Sequence, residues 1–529
     1  MLDLAEQSAM QCSRALVDEF QHSLDASGNA PVERIETHCA WILLTDDQAF
    51  KIKKPVNFGF LDYSTLAKRR FLCEEEIRLN RRFAPQIYLD VVAIGGKPAR
   101  LHTAHGAAVR EYAVHMQRFP AGGLLSQLAQ AGQLRTEHID QLVEKIARFH
   151  KSATCAETGS AFGQPDQVHH WVSENFAHIK PALAEGAELE RLERVQLWTE
   201  SERERIDVLL QQRRREGFIR ECHGDLHLGN ITLIDGQVTP FDCIEFNPEL
   251  RWIDVFSEIA FLIMDLQDRD CGNYAFRFLN GYLQAGGDYK GLGVLRYYLV
   301  YRALVRAKVA VLRRQQAQAG SDAFRKAGSE YEQYMNLALY STESGVPRLV
   351  ITYGLSGSGK STLARELGER LGMVVVRSDV ERKRLAGLGA LQRSDSGVGE
   401  GLYANQSSED TYALLEQVAG QVLEAGFPVI VDAAFLQRDS RNHFRELASK
   451  LGVPFLILVC NAPFDELESR IEKRSASGGD PSEATVAVLK AQLACQQPPE
   501  AGEAERLLEI DTSVPGFQET AIQLLQGFG

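Results

Sequence analysis

The chain has 529 residues, too many for one ordinary domain, and 44% of them are hydrophobic. A chain of this length and apolar content can bury sizeable cores, which excludes disorder as its main state. Its 58 basic residues face 71 acidic ones, giving a formal net charge of −13. That balance argues against broad, nonspecific binding to nucleic acid or anionic lipid.

Nothing in the sequence indicates passage into or across a membrane. Its longest apolar stretches, such as Ile259 to Met264, are far shorter than the roughly 20 residues that span a bilayer. The first residues, MLDLAEQSAM, carry acids where a secretory signal would carry Lys or Arg. The nine cysteines are scattered and form no CxxC pair. We therefore expect reduced thiols and a cytoplasmic protein with no membrane partner.

The clearest candidate for a domain boundary is the segment Ser341 to Pro347, STESGVP. Small polar residues with Gly and Pro are typical of a short linker, and the two sides carry unrelated motifs. The sequence thus predicts a first domain over 1–340, a linker over 341–347 and a second domain over 348–529. A surface loop inside one domain is the alternative.

The first half begins with a predicted helix over Leu4 to Leu24 and then turns to strands. Two strands are expected over Trp41 to Leu44 and Gln48 to Ile52, followed by a charged helical stretch over Leu66 to Phe83. Beyond Gly122 the pattern is mostly helical. It is interrupted by a hairpin over residues 231–241, whose turn is Asp235-Gly236.

The segment HGDLHLGN, residues 223–230, has the spacing of a protein-kinase catalytic loop. That loop needs an Asp to meet the acceptor hydroxyl and an Asn five positions later that turns back to metal, here Asp225 and Asn230. Asp242, twelve residues further on, falls where a second metal ligand is needed. The three residues form one candidate site, with Asp225 as the catalytic group and Asn230 and Asp242 as ligands of Mg²⁺.

This loop resembles the signature HGDxxxxN of the aminoglycoside phosphotransferase and choline kinase group, over about residues 35–339. The resemblance implies a bilobal, protein-kinase-like α+β domain that binds ATP and Mg²⁺. It also implies that Lys51 binds phosphate, with Lys53 as a rival on the same strand face. Glu75 is the implied ion-pair partner of that lysine, and Glu74 and Glu76 are the alternatives.

The same resemblance assigns Glu111 to Phe119 as the hinge that receives adenine and Asp254 as a buttress of the catalytic loop. The sequence departs from the protein-kinase pattern in three places. It has no GxGxxG over the phosphates, so Glu36 to Trp41 must serve instead. Asp242-Cys243-Ile244 stands in place of DFG, and no APE segment is evident.

The second half alternates short apolar runs with helical stretches, which predicts a three-layer α/β/α domain with a parallel sheet. GLSGSGKS, residues 354–361, fits the P-loop motif GxxxxGK[ST] directly after a strand and before a helix. Its backbone amides can converge on a phosphate, Lys360 can neutralise the β- and γ-phosphates, and Ser361 can hold Mg²⁺. The residues predicted to bind nucleotide are Gly354, Ser356, Gly357, Ser358, Gly359, Lys360, Ser361 and Thr362.

Further polar residues fall where such a sheet ends its strands. Asp379 is placed to orient or deprotonate an acceptor hydroxyl, and Asp432 to join the Mg²⁺ shell or contact the acceptor. Arg470 and Arg474 share one helix face and can close over the nucleotide as catalytic arginines. A helix cap or surface charge is the alternative for either aspartate, and a solvated helix face is the alternative for the arginines.

GLSGSGKS and the blocks RSDVERKR, VIVDAAFLQRDSR and APFDELESRIEKR resemble a family of small P-loop kinases. That family includes polynucleotide kinase, gluconate kinase, chloramphenicol phosphotransferase and zeta toxins. The resemblance covers about residues 349–510. It implies that the aspartate at the position of Asp379 contacts the acceptor and that lid arginines clamp ATP. The tandem order resembles bacterial aminoglycoside phosphotransferase family proteins with an AAA ATPase domain, labels that describe folds and not a substrate.

These features predict an enzyme with two ATP–Mg²⁺ sites that moves a γ-phosphoryl group to a hydroxyl of a small molecule. One alternative makes one half a nucleotide-sensing module that regulates the other. Another makes the second half a 5′-hydroxyl polynucleotide kinase, with RSDVERKR and Arg213 to Arg215 as the only basic clusters that favour it. Acceptor choice is expected in the stretches 122–220 and 382–401, which carry no readable code.

Overall fold

The computed structural model describes residues 4–28, 30–59, 61–101, 108–343, 345–394, 405–477 and 480–527. The chain forms two compact units. The first contains residues 1–138, 153–164 and 214–258, and the second contains 139–152, 165–213 and 259–529. The helical stretch 259–340, directly before the predicted linker, thus belongs to the same compact unit as the P-loop. The boundary at 341–347 stays a prediction, and Ser344 within it lies outside the described residues.

An antiparallel sheet of six strands, in the order β1-β2-β3-β6-β4-β5, forms the first part of the first unit. The predicted helix and the two predicted strands are confirmed as α1, β2 and β3. Phe20 of the helix packs with Trp41 and Phe50 of the sheet in a fully buried cluster. The elements are α1 (Leu4–Asp25), β1 (Glu33–Glu36), β2 (Ala40–Leu44), β3 (Gln48–Lys53), α2 (Leu66–Asn80), β4 (Tyr88–Gly95), β5 (Arg100–Leu101) and β6 (Val109–Gln117).

Helix α2 presents one face to the interior of the first unit. Its N-terminus is capped by Thr65, whose side chain accepts a hydrogen bond from the amide of Lys68. Residues at helical spacing are buried, among them Cys73, Glu76 and Asn80. A carboxylate buried on such a face needs a cationic partner, because an unpaired charge is costly there.

The remaining strands of the first unit are two short antiparallel pairs. The predicted Asp235-Gly236 hairpin is confirmed, and both turn residues have positive φ angles, 50° and 74°. The elements are α3 (Leu125–Gln130), β7 (Ile219–Glu221), β8 (Ile231–Ile234), β9 (Gln237–Pro240) and β10 (Trp252–Asp254), with β7 paired to β10.

In the described residues between β6 and the P-loop strand, eight α-helices follow α3. They are α4 (Thr136–Ser152), α5 (Pro165–Ile179), α6 (Ala187–Ser201), α7 (Arg203–Arg215), α8 (Val255–Asp268), α9 (Gly272–Gly286), α10 (Leu292–Gln316) and α11 (Asp322–Thr342). No helix in the described ranges is both long and apolar enough to cross a bilayer.

The second unit contains a five-stranded parallel sheet in the order β12-β13-β11-β14-β15. This order confirms the predicted doubly wound α/β class and makes β11, which leads into the P-loop, the central strand. The strands are β11 (Leu349–Tyr353), β12 (Val374–Arg377), β13 (Val429–Asp432), β14 (Phe455–Asn461) and β15 (Arg506–Asp511). The helices are α12 (Lys360–Leu371), α13 (Ser378–Leu385), α14 (Asn405–Glu424), α15 (Arg438–Leu451), α16 (Phe464–Ser477), α17 (Val486–Cys495) and α18 (Phe517–Gln526).

Candidate nucleotide sites

In the first unit, Lys51 forms a buried ion pair with Glu76 of α2. The Nζ–Oε1 distance is 2.8 Å, and the Glu76 side chain is fully buried. The ion-pair partner is therefore Glu76, the alternative, and the choice of Glu75 is wrong. Glu75 instead bonds Arg78 at 2.8 Å and Arg251 at 3.3 Å, because it lies one position round the helix from the buried face. Glu74 pairs with Arg70 at 2.9 Å.

The rival lysine, Lys53, also binds Glu76, at 2.5 Å, and is only 1% exposed. Lys51 and Lys53 point to the same side of β3, so one carboxylate serves both ammonium groups. Burial opposes the charge on each lysine, but the surrounding carboxylates outweigh it and hold both pKa values well above their ordinary level. Burial likewise opposes the charge on Glu76, yet the two lysines bring the pKa of its carboxyl below its ordinary value.

Lys51 also binds Asp242, whose Oδ1 lies 2.6 Å from Nζ. Lys51 keeps a 14% exposed side chain and Asp242 a 43% exposed one, whereas Lys53 has almost no access to solvent. A lysine that binds phosphate must reach an open site, so the geometry favours Lys51 over Lys53 for that role. Asp242 has a positive φ of 65°, which turns its side chain to this position at a cost in backbone strain.

Asp225 and Asn230, the residues predicted to form a catalytic loop, lie together as their spacing indicates. The Asn230 amide donates to the Asp225 carboxylate at 2.9 Å and to the Asp225 carbonyl at 3.0 Å. Two backbone bonds join this loop to the Asp242 segment: Phe241 N to Asn230 O at 2.9 Å and Ile244 N to His223 O at 3.0 Å. Three oxygen-bearing side chains and one lysine, all partly exposed, therefore lie on adjoining segments at one edge of the first unit, a set suited to Mg²⁺ and phosphate.

Glu258 supports the loop, and the sequence reasoning missed it. Its carboxylate accepts the amides of His223 and Gly224 at 2.7 and 2.8 Å. Asp254, which the resemblance proposed as the buttress, is buried and accepts the amide of Phe256 at 2.8 Å. Glu258 lies four residues after Asp254, in the first turn of α8, so an acid one helical turn beyond Asp254 was the available signal.

The segment that stands in place of a glycine-rich loop is a tight turn between β1 and β2. Thr37 N bonds Ala40 O at 2.9 Å, and the Thr37 hydroxyl accepts the amide of Ala40 at 3.0 Å. The Lys54 ammonium stabilises the turn by donating hydrogen bonds to the Glu36 carboxylate, at 2.8 Å, and to the Thr37 carbonyl. The predicted hinge, Glu111 to Phe119, includes the end of β6, the strand that pairs with β3.

In the second unit, the P-loop follows β11 and opens α12, as its motif predicts. Glycine is required at two points: a Cβ on Gly354 would lie 2.5 Å from the carbonyl oxygen of Cys460, and one on Gly357 would lie 2.8 Å from that of Leu467. The Lys360 ammonium bonds Leu355 O at 2.7 Å and therefore arches over the loop. Burial lowers the pKa of Lys360.

Asp432, at the end of β13, lies beside the residues that begin α12. It accepts a hydrogen bond from the Ser361 hydroxyl, and burial raises the pKa of its carboxyl. A hydroxyl and a carboxylate in contact at this place fit the donor set expected for Mg²⁺ on a P-loop. Arg377, from the end of β12, lies 3.4 Å from Asp432 and 3.4 Å from Asp480. The sequence reasoning did not select Arg377 or Asp480.

A cavity of about 490 Å³ is lined by most of the predicted residues of the second site, Gly354 and Ser358 excepted. Asp379 lines it with Arg382, which lies 3.3 Å away on the first turns of α13. The other predicted residues along its wall are Ser356, Gly357, Gly359, Lys360, Ser361, Thr362, Asp432, Arg470 and Arg474. Part of the stretch expected to select the acceptor, residues 395–401, lies outside the described residues.

The two predicted lid arginines lie at the cavity but differ in their contacts. Arg470 bonds Thr512 O at 2.8 Å and Gly357 O at 3.3 Å, so it fastens the P-loop to the chain after β15. Arg474 donates to Ala484 O at 3.1 Å across the cavity wall. Gln492 was not foreseen: its side-chain oxygen accepts the Ser356 amide at 2.8 Å, on the loop that should face phosphate.

Most side chains of the basic clusters that favoured a nucleic-acid acceptor are engaged within the protein, and Arg215 is exposed. Arg213 is buried and pairs with Asp288 at 2.9 Å, while Arg214 bonds the carbonyl oxygens of Thr158 and Phe162. In RSDVERKR, Lys383 pairs with Glu483 at 2.9 Å and Arg384 with Glu381 at 2.9 Å. Charges held in such pairs give little attraction for a phosphate backbone.

Fold and site geometry define a protein with two kinase-like modules, a protein-kinase-like module followed by a P-loop domain. Residues 349–499 match the family model described as an AAA domain. An uncharacterized protein of Mycobacterium tuberculosis is 32% identical over 467 residues, covering 87% of this chain and 89% of that protein. The chain belongs to the same family as that mycobacterial protein.

Two further likenesses are partial. An adenylyl-sulfate kinase of Myxococcus xanthus is 32% identical over 117 residues, 22% of this chain and 59% of that enzyme. The crystal structure of a choline/ethanolamine kinase family protein from Mesorhizobium loti is 12% identical, with a TM-score of 0.37, and covers 62% of this chain and 100% of its own.

Proposed function

We propose that the chain is an ATP-dependent phosphotransferase with two Mg²⁺-ATP sites, each of which moves a γ-phosphoryl group to a hydroxyl of a small molecule. The observation that carries the proposal is the convergence of Lys51, Asp242, Asn230 and Asp225 in one unit and of a complete P-loop with Asp379 and Asp432 in the other. The match of residues 349–499 to an AAA domain and the partial likeness to an adenylyl-sulfate kinase support it.

In the first site, Lys51 holds phosphate oxygens, and Asn230 and Asp242 are the ligands for Mg²⁺, which would neutralise charge on the phosphates. Asp225 accepts the hydroxyl proton of the acceptor as the acceptor oxygen bonds the γ-phosphorus. The bond from that phosphorus to the β–γ bridging oxygen breaks, and ADP leaves. Glu76 keeps Lys51 directed toward this edge through their 2.8 Å bond.

In the second site, the P-loop amides and Lys360 hold the phosphates, and Ser361 and Asp432 are the ligands for Mg²⁺. Asp379 orients the acceptor hydroxyl, and Arg470 and Arg474 stabilise charge on the moving phosphoryl group. A small acceptor is favoured because the cavity, of about 490 Å³, includes the P-loop and must accommodate phosphates of ATP as well as the acceptor. The engaged basic clusters disfavour a polynucleotide in its place.

The test compares Asp225→Ala and Lys360→Ala in the full chain, with ATP turnover and transfer of labelled γ-phosphate to a metabolite extract as readouts. Each variant should lose a different labelled product, by about 10²- to 10³-fold. Asp46→Ala and Lys473→Ala, exposed positions of the same residue types, should keep both products. The proposal fails if neither active-site change lowers turnover or labelling.

A second candidate function is that the first site senses nucleotide and regulates the second. The tight, glycine-free turn at 37–40, fastened by Lys54, is the observation that favours it. It predicts that a Lys360→Ala chain binds ATP and forms no labelled product. A labelled product from that variant would remove this candidate.

A further inference from the structure

A second buried carboxylate, Glu245, lies three residues after Asp242 and is 5% exposed. It accepts hydrogen bonds from the Lys53 ammonium and from the Tyr63 hydroxyl. Lys53 in turn reaches Glu76 at 2.5 Å. None of these side chains except Glu76 touches Lys51 in the described contacts, so the cluster is adjacent to the first site without being part of its open edge.

These bonds join three separate elements of the first unit. Lys53 is the last residue of β3, Tyr63 precedes α2, and Glu245 belongs to the segment after β9 that carries Asp242. Since Glu76 bonds both Lys51 and Lys53, the strand, the helix and the segment form one closed network. Two of the elements it joins supply groups of the proposed site: β3 carries Lys51, and the segment after β9 carries Asp242.

The backbone of the Asp242 segment is anchored as well. The amide of Asp242 donates to the Tyr88 hydroxyl at 3.1 Å, and the amide of Cys243 donates to Asn80 Oδ1 at 2.9 Å. The amide of Ile244 donates to His223 O at 3.0 Å. A non-glycine residue at positive φ persists when its surroundings over-determine it, and Asp242 with φ 65° is in this position.

We propose that Lys53 and Glu245 are positioning residues of the first site, which hold the 242–245 segment against β3 and α2 so that Asp242 faces Lys51 before nucleotide binds. This inference rests on the proposed function of that site. It assigns Lys53, the rejected candidate for the phosphate lysine, a role of its own. A purely stabilising pair predicts a different result, because it would alter the melting temperature without altering metal affinity.

The test uses the full chain with Lys360→Ala, so that ATP binding reports on the first site, and adds Glu245→Gln. The Mg²⁺ concentration for half-maximal ATP binding should rise tenfold or more, while ATP affinity without Mg²⁺ changes less than threefold. Hydrogen exchange of the 241–246 amides should become faster without nucleotide. The matched control is Glu249→Gln, at an acid four residues later. It should change neither the Mg²⁺ dependence of ATP binding nor the exchange of the 241–246 amides.

Unchanged Mg²⁺ dependence, or unchanged exchange of the 241–246 amides, would overturn the inference. Should Glu245→Gln fail to fold, Tyr63→Phe removes one hydrogen bond to Glu245 and keeps the ring. It should shift the Mg²⁺ dependence about threefold in the same direction, and no shift would assign the network to folding alone. ATP binding and exchange together separate the two proposals. A Lys360→Ala chain that binds no ATP refutes the first site, whereas a chain that binds ATP and shows unchanged exchange at 241–246 after Glu245→Gln refutes the positioning role alone.

Discussion

Glu76 is a carboxylate that two lysine side chains of β3 share. Its own charge is secured because Lys51 and Lys53 lower the pKa of its carboxyl in spite of burial. We expect Glu76→Gln to reduce turnover at the first site by about 10²-fold or more, since Lys51 loses the group that directs it. Glu75→Gln, one position along α2, should leave turnover within a factor of about three, because Glu75 serves Arg78 and Arg251. Steady-state kinetics in a Lys360→Ala chain would measure both. Equal losses in the two variants would contradict the assignment of Glu76.

Asp432 offers a prediction on pH and stability in the second site. Burial raises the pKa of this carboxyl in the folded chain, so the folded state binds a proton more readily than the unfolded one. The resulting penalty is absent below the unfolded pKa of about 4, grows as pH rises toward the raised pKa, and is complete above it. Asp432→Asn should therefore raise the melting temperature at neutral pH and abolish Mg²⁺-dependent transfer.

The stabilisation by Asp432→Asn should shrink as pH falls toward 4, because the native carboxyl is then protonated. Melting curves between pH 4 and 8 would record this. Asp439→Asn, at the first turn of α15, is a control that should show no comparable trend. A variant that melts lower than the parent at pH 7 would show that the bonds of Asp432 to Arg377 and Ser361 outweigh its desolvation.

At the residue scale, motif spacing predicted the groups that bind each other through loops of fixed length. Asn230 meets Asp225 because it lies five residues further along in a compact turn, and Lys360 meets the carbonyl of Leu355 for the same reason. The Lys51 partner could not be chosen, because three consecutive glutamates carry the same charge. Only the packing of α2 decides which of them is buried.

At the scale of elements, β12 is an edge strand and helix α9 covers its free edge. The Asn280 side chain accepts the amide of Val375 at 2.8 Å and donates to the carbonyl of Met373 at 3.0 Å, as a neighbouring strand would. Tyr289 adds a bond to Glu381 of α13 at 3.0 Å. The helical segment before the predicted linker thus supports the strand that leads to Asp379.

Asn280→Ala should therefore destabilise the second unit by about 1–3 kcal/mol, the usual effect of leaving buried backbone groups unpaired. The half-saturating acceptor concentration at the second site should rise more than that of ATP, because β12 leads to Asp379 and not to the P-loop. Denaturant unfolding and kinetics in an Asp225→Ala chain would measure the two effects. Asn273→Ala, at an exposed position at the start of α9, should change neither the stability of the second unit nor the half-saturating acceptor concentration. An equal effect of the two substitutions would show that β12 does not depend on Asn280.

Elements with strong local signals were predictable and elements fixed by distant partners were not. The Asp235-Gly236 hairpin and the β11–P-loop–α12 unit follow from turn chemistry and glycine placement. The role of α9 did not follow, because its amphipathic pattern is satisfied by any apolar surface. Asn280 in a helix gives no local sign that it pairs with a strand 93 residues further on.

At the scale of the whole chain, the two candidate sites draw their residues from different compact units. Lys51, Asp225, Asn230 and Asp242 belong to the first, and every residue of the P-loop cavity belongs to the second. Neither constellation therefore needs a side chain from the other unit to be complete. The sequence showed this separation through two unrelated motifs, whereas the grouping of α9 to α11 with the P-loop part depended on packing.

This separation predicts two nucleotide equivalents per chain. Equilibrium dialysis with Mg²⁺ and a non-hydrolysable ATP analogue should give two for the parent and one for Lys360→Ala. It should also give one for Asp242→Asn and none for the double variant, while Asp46→Ala and Lys473→Ala should keep two. Each filled site should stabilise its own unit by about 2.7 kcal/mol at a free analogue concentration 100-fold above Kd. Loss of both equivalents in Lys360→Ala would show that the first site holds nucleotide only when the P-loop does. A single equivalent in the parent would remove one of the two sites, and the single variants would show which.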